Sequence, residues 1–324
     1  MSDAETVDTE PARWLQKLRV LLLAARPAQI ALILLVYLMG VGVSVGRSPS
    51  SMAPTSQTDP ATVLTPVLGR QIVLGGLVLV PLAATVHYAN EYVDVETDAI
   101  TDRTPFSGGS GALERTGLPR SVLATATTAA ALVTVAAVAA VRVTVGLSGG
   151  AVALLLVMLV LGLVYSLPPL ALVRRGVGEL VNATLGGLVL PVYGVAVVGT
   201  PDLLAVVVVL PFALLVWCNL FATHWPDRHA DAAVGKRTLA VRWSAQGVRR
   251  GYTVLAVVAG VGTTVLWLRG VLPDAVAAAH LVPVPFLVWG WRDLTRRRSP
   301  LPAVLAMVSL AVSATASWWW LGLS

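Results

Sequence analysis

Two clusters of acidic residues each follow a long apolar segment of the chain. The first reads Asn90-Glu-Tyr-Val-Asp94-Val-Glu-Thr-Asp98, and the second contains Asp227 and Asp231. A carboxylate near hydrocarbon costs about 3 kcal/mol, so two such clusters in an apolar chain indicate a function. Side-chain oxygens at this spacing can bind a divalent cation, and a bound divalent cation can in turn bind a diphosphate.

The spacing within each cluster places the chemistry on one face of a helix. Asn90, Asp94 and Asp98 are four residues apart, and so are Asp227 and Asp231. Residues four apart lie about 40° around a helix from each other, so each set projects in nearly one direction. Mg²⁺ prefers one or two carboxylates together with water and phosphate oxygens. We therefore predict that these five side chains bind Mg²⁺ and are catalytic.

Three other acids fall off this stripe and have a simpler interpretation. Glu91, Glu96 and Asp102 are predicted to be solvated or paired with arginine. The same interpretation, solvated loop acids or helix caps, remains the alternative for the two clusters themselves. If the clusters do face each other, their carboxylates are expected to repel when no ligand is bound.

Basic residues follow both clusters at a similar distance. Arg103 comes five residues after Asp98, and Lys236 and Arg237 come five and six residues after Asp231. A diphosphate needs positive charge in addition to metal, and lysine and arginine supply it in different geometries. We predict that all three bind the diphosphate, although Lys236 and Arg237 equally suit a topology signal.

The composition identifies an integral membrane protein. The chain has 324 residues, is 56% hydrophobic and only 12% charged, and has a mean hydropathy of +0.79. A soluble domain carries about 25% charged residues. The net charge of +6 is scattered between apolar segments, which indicates topology rather than nucleic-acid binding. The single cysteine, Cys218, excludes an intrachain disulfide.

Nine apolar segments approach the ~20 residues that cross a bilayer. Together they predict an all-α fold, a single polytopic domain over residues 1–324 with a loose cytoplasmic tail over 1–11. The predicted spans are 28–46, 71–90, 121–141, 149–167, 180–199, 203–223, 251–268, 272–291 and 301–323.

The basic residues also predict the direction of the chain. With the N-terminus in the cytoplasm and the C-terminus outside, most of the 23 lysines and arginines fall on the cytoplasmic side, as the positive-inside rule requires. From the end of the second span to the end of the sixth the chain crosses the membrane an even number of times. Both acidic clusters are therefore predicted to lie on the cytoplasmic side of the cell membrane, where they can converge on one ligand.

At these residues the chain resembles the UbiA superfamily of intramembrane aromatic prenyltransferases. The first cluster matches its Asn-x-x-x-Asp-x-x-x-Asp motif and the second its Asp-x-x-x-Asp motif. The stretches Tyr165-Ser-Leu-Pro-Pro169 and Arg174-Arg-Gly-Val-Gly-Glu179 also look like the family. The segment 235–242 is similar to the branch that prenylates dihydroxynaphthoate in menaquinone synthesis.

The resemblance implies nine helices around a central cavity, capped by the loops between spans 2 and 3 (loop 2–3) and between spans 6 and 7 (loop 6–7). It implies Mg²⁺-dependent ionisation of an isoprenyl diphosphate and capture of the allylic cation by an electron-rich acceptor, which we predict to be aromatic. Arg103 matches a diphosphate-contacting arginine, and Tyr165 is a candidate to support the cation or to bind the diphosphate. The chain departs from the family at Ser107, where many members have a second basic residue, and so the phosphate contacts of this glycine-rich loop stay open.

Other functions fit the same features. Within the superfamily, the acceptor could be a non-aromatic alcohol or a haem-like molecule, or the prenyl chain could be cyclised without an acceptor. In a different class, a secondary transporter also has intramembrane acids, but those tend to lie near the bilayer midplane. Here the acids lie at the ends of the spans, which favours the enzyme.

Overall fold

The computed structural model describes residues 10–47, 65–101, 103, 106 and 108–324. Residues 1–9 of the predicted tail, together with Asp102 and Ser107, lie outside this part of the chain. Glu10 and Pro11, assigned to the tail from the sequence, instead begin a helix. Over the described residues the secondary structure is helical, with no strand.

The helices are numbered here in chain order. In order they are α1 (Glu10–Ala24), α2 (Pro27–Gly46), α3 (Pro66–Ile100), α4 (Ala112–Thr116), α5 (Ser121–Val145), α6 (Gly149–Ser166), α7 (Gly178–Val198), α8 (Leu203–His224), α9 (Arg228–Ala233), α10 (Leu239–Arg242), α11 (Ala245–Leu268), α12 (Asp274–Asp293) and α13 (Leu301–Leu323).

Nine of the described helices are long and apolar enough to cross a membrane: α2, α3, α5, α6, α7, α8, α11, α12 and α13. Each coincides with one of the nine predicted spans, so the predicted all-α, multi-pass membrane fold is confirmed. Two of the spans contain local irregularities. A π-helical turn over Leu185–Val189 interrupts α7, and turns separate the two halves of α12.

Helix α3 carries the first acidic cluster beyond its apolar part. It runs for 35 residues and is capped at its start by Thr65, whose hydroxyl accepts a hydrogen bond from the Leu68 N–H at 3.2 Å. At 1.5 Å per residue it is about 52 Å long, whereas the hydrocarbon core of a bilayer is about 30 Å thick. The helix therefore presents Asn90, Asp94 and Asp98 near one end, as the sequence predicts.

The second cluster lies on a separate short helix. The sequence predicts Asp227 and Asp231 at the end of the sixth span, but α8 ends at His224 and Asp231 belongs to α9. The break falls at Pro226, which cannot donate the backbone hydrogen bond that a continuing helix needs. Asp227 and Asp231 keep their spacing, but α9 can take a direction different from that of α8.

Small residues bring the central helices close together. A Cβ added at Gly194 would lie 2.3 Å from the Tyr37 carbonyl oxygen, and one added at Gly40 would lie 1.9 Å from that of Pro191. Helices α2 and α7 therefore cross almost backbone to backbone, which is how helices pack in lipid. The Tyr193 hydroxyl donates to the Gly75 carbonyl at 2.8 Å and ties α7 to α3 as well.

Candidate active site

The two acidic clusters meet at one ammonium group. The Lys236 Nζ lies 2.7 Å from Asp94 Oδ1 and 3.4 Å from Asp231 Oδ1. All three side chains are largely buried, with exposed fractions of 6%, 14% and 7% respectively. Residues from α3, α9 and loop 6–7 therefore converge on a single cation, as the predicted convergence of the clusters requires.

A tight turn places Lys236 beside Asp231. Helix α9 is followed by Gly235 with a φ of 76°, a left-handed conformation that glycine adopts readily. The turn is closed by the Lys236 N–H, which donates to the Asp231 carbonyl at 2.9 Å. The lysine side chain is thereby directed back to the helix that carries Asp231.

The ammonium compensates the charge of the carboxylates. Burial raises the pKa of Asp231, and the nearby Lys236 and His224 oppose this shift. Burial also acts to lower the pKa of Lys236, but the Asp94 and Asp231 carboxylates outweigh it and leave that pKa above its ordinary value. Lys236 is therefore charged at neutral pH. The expectation that unliganded clusters simply repel each other is wrong at this pair, because a lysine lies between them.

The first motif is organised around Asn90 and Asp94. The Asn90 amide donates to Asp94 Oδ2 at 2.8 Å and reaches the Ser166 hydroxyl oxygen at 3.4 Å. Asp98 instead lies against loop 2–3, where a Cβ added at Gly109 would come within 2.0 Å of Asp98 Oδ2. Glycine is needed at this position for the carboxylate to approach the loop.

The predicted metal ligands do not form one compact cluster. Within the part of the chain that the structure describes, no three acidic, histidine or cysteine side chains form a group able to hold a metal ion. Asp94 and Asp231 share Lys236, whereas Asp227 is half-buried near His224. The metal-binding role of the five residues stays a prediction. Among them, Asp94 and Asp231 already share a positive charge, the ammonium group of Lys236.

The predicted diphosphate-binding residues are placed differently from one another. Lys236 reaches the carboxylates, but Arg103 folds back on its own loop, where Nε donates to the Gly108 carbonyl at 2.8 Å and Nη1 pairs with Glu114 at 2.7 Å. Arg237, the residue after Lys236 in loop 6–7, is exposed. The structure thus gives Lys236 two carboxylate partners that the sequence does not predict.

Tyr165 lies near the end of α6, close to residues of both clusters. Its ring faces Gly178, where an added Cβ would lie 3.4 Å from Tyr165 Cε2. Asn182 on α7 and the Asp94 and Asp231 carboxylates of the two clusters are near enough to act on its hydroxyl. This position is compatible with the predicted role beside the reacting group.

Sequence reasoning missed a buried anchor for loop 2–3. Glu91 is only 4% exposed and accepts hydrogen bonds from Arg26 Nη2 at 2.8 Å, from the Ser110 N–H at 3.0 Å and from the Ser110 hydroxyl. Pairing with an arginine was one of the two predicted outcomes, but burial was not expected. Glu96 is exposed, as predicted. Glu91 fixes the glycine-rich loop against α3.

A second buried glutamate anchors loop 6–7. Glu179, at the start of α7, is 1% exposed, and its Oε1 accepts from the Leu239 N–H at 2.6 Å and lies 3.2 Å from His224 Nδ1. These contacts join α7 to the start of α10 and to the end of α8. Glu91 and Glu179 are thus buried carboxylates that anchor loop 2–3 and loop 6–7, respectively. The only sign of this role in the sequence is that each acid lies next to a predicted span.

We expect Glu91→Gln to loosen loop 2–3. The variant keeps the shape of the side chain but leaves Arg26 without its charged partner, and hydrogen bonds to a charged group contribute about 2 kcal/mol each. Thermal unfolding in detergent should show a clear loss of stability, and limited proteolysis should cut earlier near Ser110. The control is Glu96→Gln on the exposed side of the same helix. Equal stability of the two variants would refute the anchoring role.

Comparison with known proteins gives a family and a fold. The model of the UbiA prenyltransferase family matches residues 50–319, which is most of the chain. A search of curated proteins gives no match. Among solved structures, one described as digeranylgeranylglyceryl phosphate synthase is 12% identical, covers 95% of this chain and 99% of its own, and has a TM-score of 0.61.

Two UbiA homologues share the same architecture. The protein from Archaeoglobus fulgidus, solved with DMAPP and Mg²⁺, is 15% identical with a TM-score of 0.58, over 92% of this chain and 98% of its own. The apo protein from Aeropyrum pernix K1 is 13% identical with a TM-score of 0.59, over 89% of this chain and 96% of its own. At such low identity these matches establish the fold of the chain.

Proposed function

We propose that this chain, which belongs to the UbiA prenyltransferase family, transfers an isoprenyl group from a prenyl diphosphate to an aromatic acceptor within the membrane. Family membership identifies the chain as a prenyltransferase. The observation that carries the proposed chemistry is the ammonium of Lys236 between Asp94 and Asp231. Carboxylates from two distant parts of the chain meet around a cation at one end of an apolar bundle. A site that holds positive charge in this way can bind a diphosphate through that charge.

The residues present fit Mg²⁺. Two buried carboxylates that already share a cation are the hard oxygen ligands that Mg²⁺ prefers. Asp94 and Asp231 would hold the ion, with Asn90, Asp98 and Asp227 as further predicted ligands. When bound, Mg²⁺ neutralises the diphosphate and makes it a better leaving group. The Archaeoglobus fulgidus homologue was solved with Mg²⁺ and either DMAPP or GPP, which supports this assignment.

The remaining steps fall to side chains of the protein. Lys236, once released from the carboxylates, is within reach of a diphosphate bound beside them, and Arg103 and Arg237 are the further predicted contacts. The ring of Tyr165 lies where it could face the developing allylic cation. The apolar spans exclude water, which would otherwise quench that cation.

The acceptor is proposed from the sequence around Lys236. The segment 235–242 is similar to the dihydroxynaphthoate branch, so we favour a naphthoate-type aromatic acceptor and a role in menaquinone synthesis. A second candidate is a non-aromatic alcohol acceptor. The support for this second candidate is the name of one solved structure with the same fold, digeranylgeranylglyceryl phosphate synthase.

One experiment tests the reaction and separates the acceptors. The purified protein is incubated in nanodiscs with Mg²⁺, a mixture of prenyl diphosphates, and an aromatic or an alcohol acceptor, and the products are read by mass spectrometry. We expect a prenylated aromatic product and a loss of activity in excess EDTA. Product from the alcohol alone would establish the second candidate. Full turnover in EDTA would exclude the proposed role of Mg²⁺.

We also propose that the site faces the cytoplasm. The distribution of basic residues predicts a cytoplasmic N-terminus and an external C-terminus in the cell membrane. Reporter fusions in loops 2–3 and 6–7 should both register as cytoplasmic, and a fusion after Ser324 should register as external. A cytoplasmic C-terminus would contradict this orientation.

A further inference from the structure

An open groove separate from the carboxylate site runs between α8 and α11. It has a volume of about 650 Å³ and is lined by Trp217 and Phe221 from α8 and by eight residues between Arg242 at the end of α10 and Leu255 in the first half of α11. It begins beside α10, near the same end of the bundle as Lys236. None of the residues that line it takes part in the contacts around Asp94 and Asp231.

The walls of the groove are aromatic. The ring centroids of Phe221 and Trp243 are 5.6 Å apart, and those of Trp217 and Phe221 are 6.5 Å apart. On the α11 side, Gly251 keeps the wall open, because an added Cβ would lie 2.9 Å from Trp243 Cζ3. Further along α11, Val254 is 58% exposed. This part of the groove suits an apolar chain.

The other end of the groove is positively charged. Arg242 and Arg250 line it and are exposed. Neither forms a salt bridge with any residue that the structure describes. The sequence from 232 to 273 contains no acidic residue, so no neighbour along this segment offsets the two guanidinium groups. Arginine pairs well with phosphate, often through two parallel hydrogen bonds.

The charged and apolar ends are separated by a short distance along one helix. From Arg250 to Leu255 the rise along α11 is about 7.5 Å. A ligand that fills the groove therefore needs an anionic head group directly attached to an apolar chain. The Trp243 ring lies against Gly251, next to Arg250. Tryptophan is enriched at the boundary between head groups and hydrocarbon, so this position fits the junction between a head group and its acyl chain.

We propose that this groove binds one anionic phospholipid of the bilayer. Its phosphate lies between Arg242 and Arg250, and one acyl chain follows the wall formed by Trp217, Phe221 and Trp243. Among the residues that line the groove there is no carboxylate, so it lacks ligands for the metal that would accompany a prenyl diphosphate. A second copy of the chain is disfavoured because a symmetric contact would bring the same arginines together.

The test measures lipid retention by native mass spectrometry. Full-length protein in detergent is mixed with equal amounts of phosphatidylglycerol and phosphatidylcholine. We expect wild type to retain one phosphatidylglycerol in preference, and Arg242→Gln/Arg250→Gln to bind it roughly 30-fold more weakly, as two lost basic contacts near an anionic lipid would cause. The matched control is Arg292→Gln/Arg296→Gln, which removes the same charge from exposed arginines outside the groove. An equal loss in the control would overturn the proposal.

A second variant tests the shape of the groove independently of charge. A Cβ added at Gly247 would make only ordinary contact, 3.4 Å from Trp243 Cβ, and leucine is a better helix former than glycine. Gly247→Leu should therefore fold normally and lose the bound phosphatidylglycerol. Retained lipid in this variant would overturn the proposal. So would displacement of the lipid by geranyl diphosphate in EDTA, which would identify the substrate as occupant, or dimer formation on delipidation, which would identify a second copy.

Discussion

Asp94→Asn and Asp231→Asn should each abolish prenyl transfer and leave the bundle folded. Each change removes a carboxylate from the pair that already shares a cation. Substitutions next to a metal ligand cost about 10–100-fold, and loss of a ligand itself is expected to cost more than 100-fold. In either variant Lys236 retains one carboxylate partner, so the stability should fall by no more than about 2 kcal/mol. Product formation in nanodiscs and thermal unfolding in detergent measure the two effects.

The matched control for this prediction lies on the same helix. Glu96 is exposed near the end of α3 and makes no contact with Lys236, so Glu96→Gln should cost little activity. Asp98→Asn should cost more than Glu96→Gln, since Asp98 belongs to the predicted stripe. If Asp94→Asn kept most of its activity, or if Glu96 mattered as much as Asp98, the proposed ligand set would be incorrect.

Length and hydropathy were sufficient to predict the membrane fold. Each of the nine spans needs only a run of apolar residues, and such a run is a local property of the sequence. The even number of membrane crossings between Asp94 and Asp231 also predicts that they lie on the same side of the membrane, but it does not predict that they share one cation. The predicted sixth span, 203–223, ends one residue before the observed end of α8 at His224. The separate helix α9 that carries Asp231 does not follow from the apolar pattern, because it depends on the break at Pro226.

The anchoring contacts could not be predicted in the same way. Glu91 is buried because Arg26 and Ser110 reach it from parts of the chain on either side, and Glu179 is buried because His224 and Leu239 fold onto it. No periodicity in the sequence carries that information. Lys236 was recognised as a cation suited to a diphosphate, but only the turn at Gly235 directs it to the carboxylates.

Lys236→Gln should make the stability of the protein depend strongly on Mg²⁺. Without the ammonium, the carboxylates of Asp94 and Asp231 face each other in a largely buried site with no cation between them. Breaking a buried ion pair costs about 3–5 kcal/mol, so the variant should unfold at a clearly lower temperature than wild type in EDTA. Added Mg²⁺ binds only the folded site and should stabilise it by mass action.

The comparison between the two conditions distinguishes a cation site from simple packing. In wild type, Mg²⁺ must first displace Lys236, so the gain in melting temperature on adding Mg²⁺ should be smaller than in Lys236→Gln. Arg237→Gln is the control, because it removes the same charge from the adjacent, exposed residue.

A double variant tests the same pair of carboxylates. In Asp231→Asn/Lys236→Gln the loss of stability in EDTA should be smaller than the sum of the losses in the two single variants, because one of the unpaired carboxylates is gone. If Lys236→Gln and Arg237→Gln unfolded at the same temperature in EDTA, the ammonium would not be holding the two carboxylates together, and the convergence of the motifs would need another cause.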